Sequence, residues 1–278
     1  MNLSVFAWDR VAPVVPACAI IIPARFGSTR YPGKPLAMLA GAGGVRRSLI
    51  ERSWRAACAV AGPDAVWVAT DDVRVARAVD AFGGQVVMTG PECGNGTERC
   101  AQAAALLGLT HEIIVNFQGD APLTPAHVVE GLVAALARDE VAGMATAALR
   151  CCAQTYAHLA RDAAQGRVGG TTVVANARGH ALYFSKRIIP FVPEGMAAHD
   201  HVLLHLGVYA WRARALAAYA AAAPSPLEAL EGLEQMRCLD GTAPVRVVSF
   251  EADGPMVELN NPGDVALIEG ILAQRGMA

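Results

Sequence analysis

The stretch Pro23–Leu36, PARFGSTRYPGKPL, sets Arg25, Arg30 and Lys34 among Gly27 and Gly33, with no acidic residue. It directly follows the apolar run Ala19–Ile22. Glycines allow a backbone to approach a phosphate closely, and arginine and lysine neutralise it. From charge alone, a solvated basic loop is an equal reading. The spacing is neither GxGxxG nor GxxxxGK[ST], which disfavours a dinucleotide fold and a P-loop. A second stretch, VNFQGDAPL, ends an apolar run with Gln118, Gly119 and Asp120. Asp120 on its own reads as a turn residue bonding its own backbone. Beside an anion loop on the same sheet edge, it is better placed to hold a hard cation such as Mg²⁺.

These groups must be carried by elements that bring them together. Ala19–Ile22, Ala65–Thr70, Val86–Met88 and Glu112–Gln118 read as buried strands. Ser48–Val60, Val73–Phe82 and Glu98–Leu107 read as amphipathic helices. That alternation predicts an α/β fold with a mostly parallel sheet, whose carboxyl edge holds the ligand. Further on, Thr171–Ala175 and His180–Ser185 flank NARG as a β-hairpin, and His205–Trp211 reads as another strand. In SPLEALEGLEQMR, Ser225, Pro226 and Glu228 form a capping box. Continued as one helix, the segment puts Glu228, Glu231 and Gln235 on one face, which on its own reads as a solvated acidic surface.

The net charge of the 278-residue chain is −2, which argues against nucleic acid as a partner. Yet Val11–Ile50 holds five basic residues (Arg25, Arg30, Lys34, Arg46 and Arg47) and no acidic one, the mark of a small anionic ligand. No apolar run reaches the roughly 18–20 residues of a membrane helix. Residues 1–17 read as a flexible leader rather than a signal peptide. The seven cysteines lack zinc spacing and fit reduced thiols in a cytoplasmic protein. His201 and His205 stand four apart, but His205 opens a strand, so a zinc pair is not expected. Residues 18–278 read as a single α/β domain in which about 165–215 form a β-rich insertion.

The chain resembles the 3-deoxy-manno-octulosonate (Kdo) cytidylyltransferases, also called CMP-Kdo synthetases. The resemblance rests on IIPARFGSTRYPGKPL, VATDD, GTER, VNFQGDAPL, MAT, ALYFSK, HLGVYAWR, SPLEALEGLEQMR and NNPGDV, in that order from about Ile20 to Val265. It implies a Rossmann-like nucleotidyltransferase fold with a mixed central sheet, and a homodimer built largely on the β-insertion. It implies a reaction of CTP with a sugar acid that gives a CMP-sugar and pyrophosphate. Arg25, Lys34 and Asp120 would be the catalytic residues, with Asp120 on Mg²⁺. The nucleotide would be held by Pro23, Ala24, Arg25, Gly27, Ser28, Thr29, Arg30, Lys34, Arg74 and Gln118. Gly96, Thr97 and Arg99 would lie in a loop enclosing it. Lys186, His205, Tyr209, Glu234 and Gln235 would meet the acceptor, a small acid, with Lys186 where the family usually has arginine. Such a reaction needs charge neutralisation and in-line positioning more than a protein nucleophile.

The match breaks in places. The family's V-D-T-P-E-D is Leu259-Asn260-Asn261-Pro262-Gly263-Asp264 here, so Asn260 replaces a metal-binding carboxylate. Glu258, two residues earlier, shares its face if the segment is a strand, and would compensate. Ala121, Gly169, Thr172 and Leu204 replace polar or charged family residues. The leading expectation is transfer of CMP to Kdo or a related 2-keto sugar acid; these departures motivate an alternative in which CTP use is retained but the acceptor is a non-Kdo acid, such as a phosphonate. Two other readings compete: a sugar-1-phosphate nucleotidyltransferase, disfavoured because its loop is GxGTRL-like, and a CTP-binding homologue without turnover, motivated by Asn260.

Overall fold

The computed structural model describes residues 17–27, 31–241, 243–251 and 257–278. The expected leader and Ser28, Thr29 and Arg30 lie outside them. In chain order the elements begin with β1 (Cys18–Pro23), β2 (Met38–Ala40), β3 (Arg46–Ser48), α1 (Leu49–Ala61), β4 (Val66–Thr70) and α2 (Val73–Ala81). Next come β5 (Gln85–Met88), α3 (Gly96–Leu106), β6 (Ile113–Phe117), α4 (Ala126–Arg138), β7 (Met144–Arg150) and α5 (Ala153–Ala164). The hairpin β8 (Thr172–Ala175) and β9 (Ala181–Ser185) precedes β10 (Leu203–Arg212), α6 (Ala213–Ala221), α7 (Pro226–Glu231), α8 (Met236–Leu239), β11 (Val245–Phe250) and α9 (Val265–Gln274).

The main sheet runs β11-β7-β10-β6-β1-β4-β5. Its β1, β4, β5 and β6 are parallel, whereas β10 pairs antiparallel with both β6 and β7. The sheet is therefore mixed, with a parallel nucleotide half. Strand alternation divides β1 between two layers. Ile20 and Ile22 pack with Ile50 of α1, Val75 of α2 and Val129 of α4. Ile21 faces the other way, toward Cys100 and Ala103 of α3 and Leu216 of α6. Burial on both faces explains why β1 and the Ile113–Val115 part of β6 read as unbroken apolar runs.

The NARG turn forms as expected. The Asn176 side chain accepts from the Arg178 and His180 amides, and Gly179 takes φ +78°. The hairpin joins the main sheet through β10, with Leu203 opposite Val173.

Three expectations need correction. Residues 96–99 are not a loop but the first turn of α3, because the Asn95 side chain accepts from the Glu98 amide and starts the helix there. The Ser225 capping box forms, but α7 stops at Gly232, which enters the left-handed region at φ 59°. Gln235 therefore does not share the α7 face of Glu228 and Glu231, and α8 is a separate turn. Residues 257–260 belong to no strand.

Candidate active site

A cavity of about 730 Å³ opens at the carboxyl ends of β1 and β6, where an open α/β sheet holds its ligand. Of the expected nucleotide residues, Pro23, Ala24, Arg25, Lys34, Gly96, Arg99 and Gln118 line it, together with Asp120. Gly33 at φ 70° turns the chain into a short 3₁₀ turn, Lys34–Leu36, that carries the lysine inward. Lys34 Nζ lies 2.6 Å from Asp120 Oδ2. Arg25 is exposed and has no ion-pair partner among the described residues. Gly119 allows the Asp120 turn to approach β1, since a Cβ there would sit 2.9 Å from the Pro23 carbonyl oxygen. The Leu259 amide then donates to the Asp120 carbonyl at 3.0 Å, which brings Glu258 and Asn260 to the cavity wall.

The opposite wall comes from α3 and the segment after α7. Gly94, Asn95 and Gly96 present the start of α3 to the cavity. Glu234 joins the two walls: its carboxylate accepts from the Thr97 amide at 3.2 Å and from Gln118 Nε2 at 3.4 Å. Burial raises its pKa, partly offset by the Thr97 contacts. Tyr209 Oη donates to Gln235 Oε1 at 3.3 Å, and burial raises the phenol's pKa well above its ordinary value. That bond leaves Gln235 Nε2, buried and without a partner, on a residue of the cavity lining.

Several expected residues sit elsewhere. Thr97 is buried behind the wall, its hydroxyl accepting from Asn116. Arg74 pairs with Asp72 at 2.5 Å and stacks over Phe26, 3.4 Å from the ring centroid. Gly27 does not reach the lining. Lys186 donates its backbone amide to Glu231 just outside the cavity. His205 lies behind Tyr209, edge-on to Phe184 and 2.9 Å from Thr146 Oγ1. Burial pushes its pKa down to about 3, so the ring is neutral.

The reading of sequence missed one central group. Arg237, buried, pairs with Glu228 at 2.6 Å and Glu98 at 2.9 Å and stacks on Tyr219. It ties α7 to the first turn of α3. The only signal was Glu228 of the capping box, whose second role depends on the chain turning back at Gly232.

Residues 19–243 match the family model described as Cytidylyltransferase. The chain belongs to the cytidylyltransferase family. It is 45% identical over 260 residues to the 3-deoxy-manno-octulosonate cytidylyltransferase of Maricaulis maris, covering 92% of this chain and 97% of that one. Identity to the relative of the same name in Myxococcus xanthus is 40% over 257 residues, 92% and 96% of the two chains. Among solved structures, CMP:2-keto-3-deoxy-manno-octonic acid synthetase complexed with CTP superposes with TM-score 0.77 at 34% identity, covering 93% of this cytidylyltransferase and 99% of that chain. A likeness of fold alone extends to 4-diphosphocytidyl-2C-methyl-D-erythritol synthase from Anaerococcus prevotii, at TM-score 0.54 and 13% identity over 92% and 98% of the chains.

Proposed function

We propose that this cytidylyltransferase transfers CMP from CTP to 3-deoxy-manno-octulosonate, releasing pyrophosphate, with Mg²⁺ as cofactor. The observation that carries the reading is the Lys34–Asp120 pair beside Arg25, at the sheet edge where the cavity opens. Arg25 and Lys34 neutralise the triphosphate, and the amides at the start of α3 add a fixed positive dipole. The Gln235 amide, oriented by Tyr209, donates to an oxygen of the acceptor. Glu234 keeps acceptor and nucleotide walls in register through Thr97 and Gln118. An acceptor hydroxyl displaces pyrophosphate at the α-phosphorus, with no protein nucleophile.

Among the described residues no three His, Cys, Asp or Glu side chains gather as a metal cage. The donor set still suits Mg²⁺, which takes one or two carboxylates and completes its shell with phosphates and water. Asp120, Glu258 and Asn260 line the same cavity. When bound, the ion supplies charge neutralisation and Lewis acidity at the phosphates.

Kdo is favoured over another acid because relatives that cover nearly the whole chain carry that name. Ala121, Gly169, Thr172 and Leu204 are also absent from the cavity lining. Gly169 and Leu204 pack beside Leu159, and the Thr172 hydroxyl donates to the Arg187 carbonyl. The expectation of a different acceptor therefore loses its structural basis. We further propose a homodimer built on residues 165–215, where Leu182, Phe191 and Met196 are exposed. Among the described residues no helix is long and apolar enough to cross a membrane.

Pyrophosphate release with CTP, Mg²⁺ and Kdo tests the reaction. Turnover with CTP and Kdo but not with other nucleotides or with phosphonates is expected. Preference for another acid overturns the acceptor, and CTP binding without turnover on any acid favours a non-catalytic homologue.

A further inference from the structure

We propose that α9 is the strut that sets the separation of Lys34 and Asp120, with Glu269 as its positioning residue. The proposal rests on the CTP reading above. Lys34 stands at the start of a 3₁₀ turn that runs directly into β2. Among the described residues that three-residue strand pairs only with β3, in a two-stranded sheet separate from the main one. An isolated two-stranded hairpin is marginal in water, so the lysine's position depends on what holds β2.

Two supports hold it: Arg52 of α1 donates to the Leu39 carbonyl at 2.9 Å, and the C-terminal helix with the residues just after it grips the neighbouring amides. Glu269 Oε1 accepts from the Ala40 amide at 2.7 Å, and the Met277 carbonyl accepts from the Ala42 amide at 2.8 Å. At Gly41, between them, a Cβ would collide with the Met277 carbonyl oxygen and meet the Arg52 guanidinium at 2.8 Å. The same helix reaches the other charge. Arg275 Nη1 donates to the Leu123 carbonyl at 3.2 Å, three residues beyond Asp120. Leu39 of β2, Leu123 and Leu259 meet Ile268 and Leu272 in one buried apolar cluster. Both charged segments thus root on one helix, although neither Glu269 nor Arg275 lines the cavity.

A strut and a merely stabilising helix differ in what they do to ligand binding. Glu269→Ala removes the acceptor for Ala40, whereas Glu269→Gln keeps an acceptor oxygen there. We expect calorimetry on the purified full chain to show CTP binding weakened roughly fivefold to tenfold in Glu269→Ala, the scale of one lost hydrogen bond. Glu269→Gln should bind within about twofold of the unmodified protein. Should Glu269→Ala not fold, Arg275→Met carries the same expectation through the Leu123 bond. If the alanine variant binds CTP normally, whether or not its unfolding midpoint falls, or if glutamine weakens binding as alanine does, the strut is overturned. Failure of the unmodified protein to bind CTP is a separate result: it overturns the functional reading, and the strut with it.

Discussion

Lys34 and Asp120 are oppositely charged groups 2.6 Å apart, each partly exposed at 16% and 23%. A pair so wetted adds little to stability, which fits a role toward a ligand. Lys34→Ala should lower kcat/KM for CTP by about 10²-fold with little change in unfolding midpoint, as measured by pyrophosphate release and thermal melts. Glu258 shares a cavity wall with Asn260, whose neutral amide brings no charge to a cation. Glu258→Gln should therefore weaken Mn²⁺ binding by about tenfold, read by Mn²⁺ spin resonance, and raise the Mg²⁺ needed for turnover. An unchanged metal dependence would remove Glu258 from the site. His205 gives a pH prediction. Its pKa is about 3 in the fold, against the ordinary value of 6.5, because burial disfavours the cation. The unfolded chain takes up the proton first as pH falls, so the contribution of the neutral ring is complete above 6.5 and declines toward 3. The slope is at most about 1.4 kcal/mol per pH unit. Urea titrations across that window should show the slope in the unmodified protein and a flatter one in His205→Asn.

At the scale of elements, boundaries decide what the charges can reach. The parallel half was legible in the sequence because Ile20–Ile22 and Ile113–Val115 are buried on both faces and leave an uninterrupted apolar signature. Lys34 and Asp120 were legible too, since each follows such a strand. Of the acceptor wall, Tyr209, Glu234 and Gln235 were named from the family resemblance and line the cavity, but their arrangement and the part played by Arg237 were not legible. The wall's geometry depends on Gly232 ending α7 and letting Glu234, Gln235 and Arg237 turn toward α3, and periodicity does not register one residue with positive φ. Arg237 pairs with Glu98 across 139 residues, a contact with no local pattern. Gly232→Ala tests the boundary. A side chain at φ 59° is strained, and its Cβ would also meet Lys186 Nζ at 2.8 Å. Urea unfolding should show a loss of about 1–2 kcal/mol. A neutral result would mean that the chain continues through 232 as a helix, as its composition alone suggests.

For the whole molecule, two packed layers fix the nucleotide edge, while the insertion is left with apolar surface facing solvent. Phe191 is 88% exposed, Leu182 60% and Met196 51%, all between β8 and β10. Single exposed apolar residues are ordinary, and three large ones within one insertion support the dimer contact proposed above. A second copy of the chain is the occupant that the homodimer reading supplies. A closed two-fold contact would bury the same residues from both protomers. It would also stiffen the hairpin, whose β9 reaches the acceptor wall through Ser185 Oγ donating to Glu231 Oε1 at 2.9 Å. Sedimentation at micromolar concentration should give about twice 29.0 kDa for the unmodified chain and 29.0 kDa for Phe191→Glu, because a carboxylate at the centre of an apolar contact is costly to desolvate. The glutamate variant should keep its CTP affinity and lose affinity for the acceptor, since β9 is bonded to Glu231 of α7, next to the acceptor wall. A monomeric unmodified protein with full activity would refute the dimer and its link to acceptor binding together.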